Sequence, residues 1–333
     1  MSAPVAALAT ALAALPVVAA GASWYARAVR AGQYIRPEGP AAHAAKAGTP
    51  TMGGIVLLAG LSAGAGLAGA GGAPLSPQVG FAMAATWAAG LIGLWDDLLS
   101  QRRRASLGLS VAQKLLLQAA AAAGLFALLP ALGEVQLTVP FSARAIPLSS
   151  LPAWALFLLV TIAFAGITNT VNLADGLDGL ACGAALVVLA GVLPLVWGQP
   201  DLASLCFVAC GAAGGFLWVN AHPARVFLGD VGAMGLGGLL FGVTFAAGHV
   251  FLLPILGGLF VLEGLSVVLQ VAAYKLTGVR LFKMSPLHHH LEAGTAPWPH
   301  RLPGRSWSEP QVVVRLWLVC AAFVLLGLWA GRA

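Results

Sequence analysis

The sequence predicts an all-α, polytopic membrane protein of about ten transmembrane helices with both termini outside. Three observations predict it. Of 333 residues, 59% are hydrophobic and only 8% are charged, against about 25% charged in a soluble domain. The apolar residues gather in runs near the ~20 residues that cross a bilayer, and mean hydropathy is +0.90. Lysine and arginine sit almost wholly on one side of those runs.

The runs predict spans at 4–23, 52–71, 78–95, 112–132, 152–170, 179–197, 202–219, 231–249, 251–273 and 311–330. The first lacks a basic leader and a convincing cleavage site, so it reads as a retained span. The seventh is short, and the eighth and ninth nearly merge at Gly248-His249. With ten spans the loops alternate sides. Fifteen of the 17 basic residues then share one side, leaving Arg144 and Arg332 on the other. Basic loops stay cytoplasmic, which fixes the orientation and supports an even count. The 42 glycines suit close helix contact in lipid, where small residues let backbones approach. The four cysteines form no Cys-x-x-Cys pair, so neither zinc nor a disulfide framework is indicated. The net charge of +6 lies in short loops between spans, which argues against a nucleic-acid face. Residues 1–333 read as one membrane domain.

Acidic residues are the second signal. Asp96, Asp97, Asp175, Asp178 and Asp230 all fall at span ends on the basic side. Carboxylates at a membrane boundary are costly to desolvate unless a metal, a base or water pairs with them. Asp175 and Asp178, in Asn172-Leu-Ala-Asp-Gly-Leu-Asp178-Gly, are three apart and share a face on a helical turn. The plain reading of that stretch is a polar connector capping the next helix. Asp96 and Asp97 are adjacent, so they repel, and one keeps a proton or both share a cation. Asp230, flanked by glycines in Phe227-Leu-Gly-Asp-Val-Gly232, can cap a helix or supply a hard oxygen ligand to Mg²⁺. Asn220-Ala-His-Pro223 adds polar groups to the same loop. His288-His289-His290 lies in the last basic loop; without a second ligand cluster it is a poor zinc site, and its imidazoles suit phosphate binding or proton transfer. Lys46-Ala-Gly-Thr-Pro-Thr51-Met-Gly-Gly54 lacks the residue order of a P-loop. Glu263 is a lone carboxyl inside the ninth span, protonated or internally paired.

In this order, the motifs Lys46–Gly54, Asp96-Asp97, Asn172–Gly179, Phe227–Asp230 and Ser285-Pro-Leu-His-His-His-Leu-Glu292 resemble the phospho-N-acetylmuramoyl-pentapeptide-transferases, a branch of the polyprenyl-phosphate N-acetylhexosamine-1-phosphate transferases. The likeness runs from about residue 24 to 320. It implies a homodimer in the bacterial inner membrane with a cytoplasmic, Mg²⁺-dependent active site. The implied reaction moves phospho-MurNAc-pentapeptide from UDP onto undecaprenyl phosphate, giving lipid I and UMP. The resemblance makes Asp96, Asp97, Asp230, His288 and His289 the catalytic candidates. Asp230 is the implied metal ligand, with Asp175 as a second candidate. Lys46, Thr51, Lys114, Asn172, Asp175, Asp178, Asn220 and His290 become substrate-binding candidates. The chain departs from the family where Asp-Asp-Tyr-Leu-Lys is usual: here the run is Asp96-Asp-Leu-Leu-Ser100, and Arg102 or Arg103 is the available basic replacement. The segment 293–306 is longer than usual. Two alternatives remain at this stage: a sister enzyme using UDP-GlcNAc, and a transporter, against which the one-sided acidic residues and the lack of an inverted repeat both argue.

Overall fold

In a computed structural model, residues 3–28, 48–70, 76–104, 108–292 and 298–332 are described, with side chains from Leu8 onward. Lys46 lies outside them. The architecture follows from one helix made largely of glycine. Helix α8 (Gly229–Ala246) reads GDVGAMGLGGLLFGVTFA and is buried along nearly its whole length. Its missing side chains are where its neighbours lie. A methyl group at Gly238 would strike the Ala85 carbonyl, and one at Gly242 would meet the Ala82 Cα at 2.6 Å. Both alanines belong to α3 (Pro77–Arg103). At Gly237 the obstacle is Thr168 of α5 (Ala153–Ala174), and Gly232 faces Gly54 of α2 (Gly54–Ala70). Small residues at spacings of three and four thus form a seam on each helix, which in lipid replaces the hydrophobic drive by close van der Waals packing. Phe241 stacks on Phe164 edge to face at 5.6 Å, and Phe81 lies 5.4 Å from Phe245. These rings fill the space between α3, α5 and α8 below the seam.

The remaining helices wrap this centre. Helix α1 (Ala3–Ala28) packs on α7 (Pro200–Asn220), where Gly211 and Gly215 sit against the Ala11 and Leu15 backbones. Helix α4 (Val111–Leu128) starts with a capping box from Ser110 and Gln113. Helix α6 (Leu180–Val192) follows Gly179, whose φ of +78° reverses the chain with a backbone that favours glycine. Then come α9 (Leu253–Leu256), α10 (Gly258–Thr277), α11 (Leu287–Leu291) and α12 (Glu309–Ala330). Among the described residues, eight helices are long and apolar enough to cross a membrane, and α2 and α6 are shorter apolar helices. The chain is a multi-pass, all-α membrane protein.

Several span edges differ from the sequence reading. Helix α3 does not stop at Trp95 but continues to Arg103, because Leu98 and Leu99 prolong its apolar face until Arg104 turns left-handed at φ +50°. The sixth span yields a helix of 13 residues, and turns carry the chain on to Gly198. The seventh is a full helix of 21 residues. The eighth and ninth separate at Gly248 (φ +81°), and Gly257 then divides short α9 from α10. A two-stranded hairpin, β1 (Gln136–Thr138) with β2 (Ala145–Pro147), fills the fourth loop. The Thr138 N–H donates to the Gly248 carbonyl at 2.8 Å, and the Phe141 N–H to the Ala330 carbonyl at 2.8 Å. Those loops close one end of the bundle. The acidic motifs all emerge at the other.

Candidate active site

The α3–α8 seam decides where the carboxylates meet. Gly93 lies so close to the Asp230 backbone that any side chain there would displace it. One turn further on, Asp96 and Asp97 stand beside Asp230. Lys114, in the first turn of α4, reaches between them: its Nζ is 2.6 Å from Asp96 Oδ2, 2.9 Å from Asp230 Oδ2 and 3.0 Å from Asn172 Oδ1. The Asn172 amide donates to Asp230 Oδ1 at 2.9 Å. Four helices therefore converge on one ammonium. Asp96 Oδ1 accepts the Leu109 N–H at 2.6 Å, and Gly108 has no room for a side chain against Asp96. Arg103 donates to the Gly108 carbonyl at 2.6 Å, so it holds the turn over Asp96. Asp97 stands apart from Lys114 and accepts the Val231 N–H at 3.0 Å. Two carboxylates share one ammonium and a third stands close by, an oxygen-rich setting that suits a hard cation.

The Thr51 motif serves as a backbone template. The Phe227 N–H donates to Pro50 O at 2.8 Å, and the Gly53 and Gly54 N–H groups donate to Phe227 O and Leu228 O, both at 2.9 Å. This ladder fixes the turn that presents Asp230. Gly229 needs its φ of +72°, and a methyl group there would meet Asp97 Oδ2 and Met52 N at 2.9 Å. Thr51 is buried, and its carbonyl accepts the Tyr25 hydroxyl at 2.9 Å.

A second cluster lies at the Asp175–Asp178 turn. Asp175 ends α5, its N–H donating to Asn172 O at 3.2 Å. Asp178 Oδ2 is 3.1 Å from His222 Nδ1 and accepts the Ala224 N–H at 3.0 Å. Glu309, at the start of α12, accepts the Asp178 N–H at 2.7 Å and lies 3.5 Å from His222 Nδ1. These three side chains are spaced to hold a cation. Asn220 is buried and donates to Val226 O at 3.0 Å, which sets the loop bearing His222.

The three histidines take three different partners. His288 is fully buried: its Nδ1 is 3.2 Å and its N–H 3.3 Å from Glu263 Oε2. Its other nitrogen lies against Gly176. His289 Nδ1 is 3.1 Å from Glu292 Oε2. His290 Nδ1 accepts the Lys283 N–H at 3.0 Å and its ring packs on Phe282 at 5.3 Å. Burial, with Lys283 and His300 nearby, holds the His290 imidazole below its usual range, which keeps it neutral and an acceptor.

The geometry thus brings Asp96, Asp97, Lys114, Asn172 and Asp230 into one group, with Asp175, Asp178 and Asn220 in the adjoining turns. Glu309, the clamp on Asp178, carries no signal in the sequence beyond a helix start. His222 does carry one, as a polar residue next to Asn220. On the outer face of α3, Leu91, Leu94, Trp95, Leu98, Leu99 and Arg102 line a groove of about 330 Å³.

Residues 79–248 match the family described as glycosyl transferase family 4, and residues 46–58 match signature 1 of the phospho-N-acetylmuramoyl-pentapeptide-transferases. A phospho-N-acetylmuramoyl-pentapeptide-transferase of Moorella thermoacetica is 41% identical over 309 residues, 92% of this chain and 91% of that protein. One from Geobacillus kaustophilus is 40% identical, covering 92% and 90%. One from Rhodopseudomonas palustris is 38% identical, covering 89% and 84%.

Proposed function

The chain belongs to the phospho-N-acetylmuramoyl-pentapeptide-transferase family, and from that premise we propose the reaction it performs and the residues that perform it. It is a glycosyl-phosphate transferase of peptidoglycan synthesis. A lipid phosphate oxygen attacks the β-phosphorus of UDP-MurNAc-pentapeptide, a new P–O bond forms, and the bond to UMP breaks. The acceptor is undecaprenyl phosphate and the lipid product is lipid I. The observation that carries the reading is Lys114 joining Asp96, Asp230 and Asn172 at the end of the bundle where the acidic motifs emerge.

Two anionic phosphates repel, so the site must supply positive charge where they meet. Lys114 supplies one. Mg²⁺ is the proposed second: Asp230, with Asp175 as a further ligand, would offer the kind of hard oxygens that magnesium takes alongside substrate phosphates. Bound there, the cation neutralises phosphate charge. Asp97, with one oxygen fixed by the Val231 N–H, takes the proton from the lipid phosphate. Asp96 keeps Lys114 aimed. The resemblance assigns Asn220, Asp178 and Thr51 to substrate binding, with His290, and gives His288 and His289 catalytic roles. The groove on α3 admits the prenyl chain, and Arg102 is the basic residue in its lining. The protein works as a homodimer in the bacterial inner membrane.

Purified protein given undecaprenyl phosphate, Mg²⁺ and UDP-MurNAc-pentapeptide should release UMP, and chelation should stop it. UMP released from UDP-GlcNAc instead would make it the sister enzyme.

A further inference from the structure

Glu263 is a buried carboxyl that the mechanism above leaves unused. It sits in the second turn of α10, where Gly264 packs on Thr170, so it lies at the level of the last turn of α5. One of its oxygens receives two groups of His288: the backbone N–H at 3.3 Å and Nδ1 at 3.2 Å. Oε2 already accepts the backbone N–H, and an Nδ1–H donating to the same oxygen fits the geometry. Nε2 is then a bare lone pair. It is fully buried, has no hydrogen-bond partner among the described residues, and points at Gly176 between Asp175 and Asp178.

We propose that Glu263 is a positioning residue: it fixes the tautomer and angle of His288 so that the bare Nε2 supports the Asp175–Asp178 turn and accepts a hydrogen bond from that turn when nucleotide-sugar occupies it. The inference rests on the proposed function only for the identity of the occupant. Gly176 fits the arrangement, since any side chain there would run into the imidazole. Carboxylate–imidazole pairs orient ligating histidines in the same way, and losing the carboxylate typically costs ten- to a hundredfold in function.

The test compares Glu263→Leu with Glu263→Gln. Nitrogen-15 NMR of histidine-labelled protein, with the His288 signal assigned from His288→Gln, reads the tautomer without any turnover. Wild type should show Nδ1 protonated and Nε2 bare. Glu263→Leu should lose that preference and raise KM for UDP-MurNAc-pentapeptide about tenfold or more, with a smaller fall in kcat. Glu263→Gln keeps an acceptor oxygen, so it should keep the tautomer and restore KM to within about threefold. An unchanged tautomer in Glu263→Leu, or an equal rise of KM in both variants, would overturn the proposal. Absence of UMP release by wild type would instead refute the proposed reaction and leave the tautomer readout standing.

Discussion

Replacing Lys114 by methionine keeps most of the side chain's volume and removes its charge. Three contacts go at once: Asp96 at 2.6 Å, Asp230 at 2.9 Å and Asn172 at 3.0 Å. One close pair carries a gross Coulomb energy of about 5 kcal/mol at an effective dielectric near 20. The side chains of Lys114 and Asp96 are 15% and 10% exposed, but that of Asp230 is 32% exposed, so water screens part of the loss. Breaking a fully buried pair costs about 3–5 kcal/mol and an exposed one under about 1 kcal/mol; about 1–3 kcal/mol of stability should be lost here. The rate should suffer more. A donor aimed at developing phosphate charge is worth about 10²–10³ in kcat, or about 3–4 kcal/mol. The assay is UMP release alongside thermal unfolding in detergent. The double variant Lys114→Met/Asp96→Asn separates the two effects: relieving the repulsion between Asp96 and Asp230 should recover much of the stability and none of the rate. A Lys114→Met protein within threefold of wild-type kcat, or a double variant less stable than the single one, would refute the reasoning.

Asp96→Asn and Asp97→Asn should fail differently. Asp97→Asn should lose kcat with UDP-sugar binding nearly intact, as for a contact made mainly in the transition state, and Asp96→Asn should weaken that binding by releasing Lys114; identical kcat, KM and calorimetric binding for the two would count against this division. Gly238→Val should push α3 from α8 and destabilise the protein by about 1–3 kcal/mol, with activity falling too; unaltered melting would show that the seam is loose. Cysteine at Arg104 should be shielded from an impermeant thiol reagent in intact cells and cysteine at Arg144 should be labelled, the reverse pattern sinking the orientation.

Hydropathy and Lys/Arg placement made the helix order legible, because the bilayer rewards long apolar runs and sorts basic loops. They could not show where α3 ends, since Leu98 and Leu99 extend the helix beyond the apolar run read as 78–95. The clustering of Asp96, Asp97 and Asp230 at one face was readable, and so was the lysine at 114 through the resemblance. Their mutual geometry was not: it depends on Gly93 meeting the Asp230 backbone, a contact between residues far apart in sequence. The ladder from Pro50 to Gly54 is made of main-chain bonds, which any residue type can form, so the sequence marked the segment without its role. Glu309 and Glu263 reach their partners across 131 and 25 residues, and no local pattern announces such pairs.

The glycine seam has a consequence for variation. Along α8, Gly232, Gly235, Gly238 and Gly242 each touch a neighbouring helix where even a methyl group collides, so nearly every codon change there is a lesion in the scaffold beneath Asp230. A mutational scan of this chain should therefore show a sharp stripe of intolerance running about half the depth of the membrane from beneath Asp230. Selection for resistance to a nucleotide-like inhibitor would find few viable routes through that stripe. Escape variants should accumulate instead in the outer loops, where side chains can change without moving the three carboxylates.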